Sequence, residues 1–228
     1  MFLLILGAIL AILVYVPSFW VRQVMSKYGA ENPDFPGTGG ELAQHLVNRF
    51  QLEGVTVEET DPFRDHFDPG KGVVRLSPDN FNGKSITAIA VAAHEVGHAI
   101  QFHRREQIFE LRKRYMPTAV TLNRVGIAIM WCLPLVGFFL RSPFAIGAII
   151  GLSILLQLVG ALTYLIILPE EWDASFNKAL PILIQGEYID SSHLPAVRKV
   201  LRAAALTYFS AAMANVLNIA RWIMILRR

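Results

Sequence analysis

Three residues have the types and spacing to bind and use a metal ion: His94, Glu95 and His98, in the run His94-Glu95-Val96-Gly97-His98. On an α-helix, residues four apart lie one turn apart on nearly the same face, so both imidazoles can reach one ion while the glutamate stands beside it. Zinc suits such a pair. The chemistry would be hydrolysis, with water acidified by the metal and Glu95 first taking its proton and then passing it to the leaving group. The element required is a helix, and residues 85–105 have its pattern: Ile86, Ile89, Ala90, Ala93 and Ile100 recur at helical spacing, and no proline follows before Pro117. The bland alternative is a buried helix with two satisfied histidines, and it must bury three polar groups without a cation.

A catalytic zinc normally has a third protein ligand and leaves a fourth position to water. The longer signature with a third histidine needs glycine and histidine where this chain has Gln101 and Arg104, so that class is excluded. A glutamate from a second helix, the gluzincin arrangement, is the remaining common solution. The run Glu170-Glu171-Trp172-Asp173-Ala174-Ser175 supplies it, with both glutamates as candidates. Tyr208 and His193 are candidates for a further oxyanion donor, each set against a purely structural role. His66, flanked by Asp65 and Asp68, is a candidate for orienting a ligand, set against a hydrogen-bonded turn. His45 reads as a surface residue, and His103 falls out of phase on the metal helix.

The elements that must position these groups read as membrane-embedded. The chain has 228 residues, 54% hydrophobic and only 17% charged, too apolar for an ordinary soluble domain. Its net charge of +3 comes from Lys and Arg clustered near apolar runs, which argues for membrane orientation and against a nucleic-acid partner. The one cysteine, Cys132, has no intrachain partner and reads as apolar filler.

The expected fold is therefore a mainly α membrane protein with about four transmembrane helices and a small α+β, gluzincin-like cytoplasmic insertion carrying the metal helix. Residues 1–21 read as a retained anchor, with Arg22 and Lys27 placing the following segment in the cytoplasm. Residues 22–116 form the insertion: an amphipathic helix over ELAQHLVNRFQLEG closing on Gly54, then VTVEET and GVVRLS as strands, the latter expected at the sheet edge. Residues 117–168 read as a helical hairpin, 169–200 as a cytoplasmic helical region bearing the acidic ligand, and 201–228 as a C-terminal transmembrane or membrane-packed helix.

Three blocks, DHFDPGKGVVRLSPDNFNGKSITAIAVAAHEVGHAIQ, LPEEWDASFNKAL and VLRAAALTYFSAAM, occur in an order and hydrophobic layout that resembles the YugP-like membrane zinc metallopeptidases. That group is related to the membrane CAAX proteases. The resemblance implies one zinc per chain and selects Glu171 as ligand over Glu170, because the family's glutamate is followed by an aromatic residue, an acid, alanine and serine. The related CAAX-type pattern has an aspartate four residues after the glutamate to support a zinc histidine. Ser175 stands there in this chain, and Asp173 is the substitute.

The expected function is a zinc endopeptidase at the cytoplasmic face of a plasma membrane, with a peptide or membrane-protein substrate and the lipid bilayer as partners. The alternatives are a zinc hydrolase of a non-peptide membrane substrate and a zinc-binding adaptor without catalysis.

Overall fold

A computed structural model describes residues 2–140, 142–207 and 210. The chain divides into two compact units, one taking in Met1–Ser18 and Leu111–Leu168, the other Phe19–Glu110 and Pro169–Thr207. HEVGH and EEWDAS both belong to the second.

That second unit is built around one buried helix. Helix α1 (Phe2–Lys27) brings Val21 and Val24 into its core, and α2 (Gly39–Arg49) follows. Thr38 and Glu41 start α2 with reciprocal side-chain to backbone hydrogen bonds of 3.2 and 2.9 Å, a capping box. Leu42, Ala43, Leu46 and Val47 form its buried stripe. The helix ends before Gly54, because Gln51 already turns the chain with φ 52°.

Three strands follow: β1 (Thr56–Glu59), β2 (His66–Asp68) and β3 (Val73–Leu76), in the order β1-β3-β2. β3 pairs parallel with β1, Thr56 opposite Val73, and antiparallel with β2, Phe67 opposite Val74. GVVRLS is therefore the central strand, not the expected edge. The physical reason is β2, which the turn at Asp68 folds back: its Oδ1 accepts from Gly70 N at 3.0 Å and its carbonyl from Gly72 N at 2.8 Å.

A short helix, α3 (Pro78–Phe81), leads into α4 (Ile86–His103), whose N-terminus Ser85 caps by accepting from Ala88 N at 3.0 Å. Every residue from Thr87 to Gln101 is buried. Such a helix is buried all round because Ala88, Ala90, Ala92, Ala93 and Ala99 let neighbours approach on each side. The chain continues through α5 (Gln107–Leu140), α6 (Pro143–Trp172), a π-helical segment (Asp173–Ala179), α7 (Leu180–Gln185), a 3₁₀ turn (Ser191–His193) and α8 (Leu194–Ala205). α8 buries Val197, Val200 and Leu201 and turns Arg198, Lys199 and Arg202 outward.

In the first unit, α5 and α6 pack closely and antiparallel. Ser153 Oγ donates to the Gly126 carbonyl at 2.6 Å, and a Cβ at Gly160 would stand 3.0 Å from the Ala119 carbonyl.

The expected architecture of about four transmembrane helices does not hold. Among the described residues, one helical run, Phe144–Gln185, is long and apolar enough to cross a membrane. α5 carries Arg112, Lys113, Arg114 and Arg124 among its first eighteen residues. Nor is the α+β part a self-contained insertion over 22–116, since the π segment, α7 and α8 complete its core. The expected C-terminal span falls mostly on residues 211–228, and Tyr208 also lies outside the described residues.

Candidate metal centre

α4 places His94 and His98 one turn apart with their rings edge to face, centroids 4.7 Å apart. Their Nε2 atoms are 3.3 Å from each other. Glu171, in the last turn of α6, brings Oε2 to 3.3 Å from His94 Nε2 and 3.3 Å from His98 Nε2. The three donor atoms form a nearly equilateral triangle. All three residues are buried, the histidines 3% exposed and Glu171 0%.

The donor geometry fits zinc. A tetrahedron with bonds of ~2.0–2.1 Å has edges of roughly 3.3–3.4 Å, which matches the observed triangle on every side and leaves its fourth corner to a non-protein ligand. The protons agree. Ser175 Oγ donates to the Leu201 carbonyl at 3.0 Å, so its lone pair accepts from His94 Nδ1–H at 2.9 Å. His98 Nδ1 is 2.9 Å from Gln101 Oε1. The Gln101 amide nitrogen donates to the Glu170 carbonyl at 3.1 Å and to Asp173 Oδ2 at 2.8 Å, which leaves Oε1 as the acceptor facing His98. Both rings are thus Nδ1–H tautomers, and three lone pairs converge on the point a cation would occupy.

The π-helical segment makes this convergence possible. Its wider turn, seen in the Leu180 N–H bond to the Ser175 carbonyl five residues back, brings the Ala174 backbone against Gly97 and aims Ser175 at His94. Asp173, at its start, receives hydrogen bonds from Gln101, Asn177 at 2.8 Å and Lys178 at 2.8 Å. Burial pushes its carboxyl up, but Lys178, Gln101 and Asn177 outweigh that and hold it below its ordinary value. Lys178 also pairs with Glu106 at 3.0 Å.

The remaining candidates lie elsewhere or take other parts. Glu170 is fully buried with its carboxylate 3.5 Å from His98 Nδ1, on the side of the ring away from the triangle. Glu95 follows His94 on α4 and is 7% exposed. His66 Nδ1–H donates to the Arg64 carbonyl in its own loop at 2.7 Å, and His193 packs its ring on Phe35 at 5.7 Å. His45 meets the Tyr188 hydroxyl at 2.7 Å. The residue that sequence reasoning overlooked is Gln101, noticed only as the wrong residue for a third-histidine signature. Its place three residues after His98, on the same helical face, was the available signal. Ser175 itself takes the supporting place at its position, bonding His94, while Asp173, the expected substitute, reaches His98 only through Gln101.

The family described as "Putative neutral zinc metallopeptidase" matches residues 2–227. The "Putative membrane protease YugP" of Bacillus subtilis (strain 168) is 35% identical over 213 residues, 91% of this chain and 91% of that protein. The chain belongs to this neutral zinc metallopeptidase family. No solved structure matches it. Membership in a zinc metallopeptidase family and the buried His94, His98 and Glu171 triangle agree on the metal, since two imidazoles and one carboxylate form a donor set zinc favours.

Proposed function

We propose that this family member is a membrane-attached zinc endopeptidase of the gluzincin type, with His94, His98 and Glu171 as metal ligands and Glu95 as general base. When bound, zinc supplies Lewis acidity toward water and toward the scissile carbonyl. The chain's own groups do the rest. The Glu95 carboxylate takes the proton from the attacking water and delivers it to the departing amine, so that one group serves as base and then acid. Ser175 and Gln101 hold the two imidazoles in the Nδ1–H form, keeping each Nε2 lone pair turned inward.

The observation that carries this reading is the 3.3 Å triangle, two corners of which stand on the helix that also carries Glu95. Attachment to a cell membrane rests on the uncharged run from Phe144 to Leu168, where Phe144, Leu155 and Leu162 are 87%, 56% and 59% exposed. Lipid is the partner that such a surface suits. The basic residues of 22–116 support a cytoplasmic site, with peptide or membrane-protein substrates. The test is cleavage of an unstructured protein by the purified chain in detergent, with and without a chelator. Zinc-dependent cleavage that Glu95→Gln abolishes is the expected result; unchanged cleavage by Glu95→Gln would refute the assignment.

A further inference from the structure

The two metal histidines are held by different devices. His94 leans on a hydroxyl that is itself tied to a main-chain carbonyl, Ser175 to Leu201, a support that depends on backbone alone once Ser175 is in place. His98 leans on the side-chain amide of Gln101, and an amide can present either end. What decides its orientation lies further out. Its nitrogen faces two acceptors, the Glu170 carbonyl and the Asp173 carboxylate, and Asp173 is itself fixed by Lys178, which bridges to Glu106.

We propose that Gln101 is the positioning residue for the ligand His98, and that Asp173, Lys178 and Glu106 form a side-chain relay setting its amide and hence the protein's metal affinity. Without Asp173 held in place, Gln101 loses the stronger of the two acceptors that face its nitrogen, and the amide can turn. An amide nitrogen would then face His98 Nδ1. The ring would have to move its proton to Nε2, where it blocks the metal. The relay runs from the buried centre to the partly exposed Glu106, whose side chain is 25% accessible. Affinity thus depends on residues that touch neither metal nor substrate.

This inference rests on the zinc reading, and the experiment separates their failures. The purified chain in detergent is stripped of metal and titrated with cobalt(II), with ¹⁵N-histidine spectra of the metal-free protein recorded in parallel. Gln101→Met keeps the volume and removes the hydrogen bonds. It should weaken cobalt binding about 10–100-fold and abolish the single Nδ1–H tautomer of His98. Lys178→Met should weaken binding less, and Lys178→Arg should restore it. Ile100→Val, a neighbouring core substitution away from the histidines, measures the effect of lost packing alone and should leave affinity unchanged. The relay is overturned if Gln101→Met binds like wild type, or if Ile100→Val weakens binding equally. Failure of the wild-type chain to take up stoichiometric metal would overturn the zinc reading, and the relay with it.

Discussion

A Cβ on Gly97 would stand 2.8 Å from the Ala174 carbonyl oxygen, so the metal helix and the π-helical segment touch backbone to backbone inside the HEVGH motif. The glycine between the two histidines is thus a packing requirement. Any side chain there pushes away the segment that carries Ser175 and follows Glu171.

Gly97→Ala should therefore weaken metal binding although alanine is the better helix former. Overpacking at a backbone contact costs about 1–3 kcal/mol, against roughly 1 kcal/mol gained in helix propensity. Melting curves with and without zinc would show a smaller metal-induced rise in Tm than wild type. An equal rise would mean that the π segment yields freely.

Ser175→Ala should strand the His94 Nδ1–H in the core. A buried donor left unsatisfied costs about 1–3 kcal/mol, and loss of such a support weakens metal binding about 10–100-fold. Isothermal titration with zinc, compared with urea unfolding of the metal-free chain, reads both effects.

Glu95→Gln should lower kcat about 10²–10⁴-fold, the usual worth of a general acid–base group, and leave zinc stoichiometry at one per chain. A parallel loss of metal would move Glu95 from proton transfer to ligation.

Acid should loosen the sheet through Asp68. Partial burial pushes its carboxyl up, but Arg75, at 2.8 Å, and the Gly70 and Lys71 N–H groups hold it below its ordinary value of 3.8. The folded-state value is the lower one, so the stabilisation is complete above about pH 5 and is lost as pH falls through the folded value. Urea unfolding between pH 3 and 7 should show Asp68→Asn less stable at neutral pH and with a flatter acid limb.

The metal helix was readable in the sequence because its information is local: two histidines at i and i+4 within an alanine-rich apolar run need no knowledge of the rest. The acidic partner was narrowed to Glu170 or Glu171 by the same ligand logic, and family resemblance favoured Glu171, whose carboxylate closes the 3.3 Å triangle. β2 was not legible, since His66-Phe67-Asp68 is too short and polar to carry a strand period and pairs only because β3 offers an edge. That hidden strand turned β3 from an edge into a centre. The π turn was illegible for another reason: nothing in Asp173–Ala179 departs from an α-helical composition, and its widening answers to Gly97, far away in sequence. The number of membrane spans is not legible from apolar composition, which marks several runs as long enough where, among the described residues, one helical run, Phe144–Gln185, qualifies.

The central claim is that His94, His98 and Glu171 jointly hold one zinc ion. Zinc-edge X-ray absorption on the purified chain, with Glu171→Gln and Glu170→Gln alongside, tests it most directly. The account predicts one zinc per chain in a nitrogen and oxygen environment with two imidazoles and no sulfur, disrupted by Glu171→Gln and kept by Glu170→Gln. A wild-type zinc environment in Glu171→Gln, or its loss only in Glu170→Gln, would contradict it.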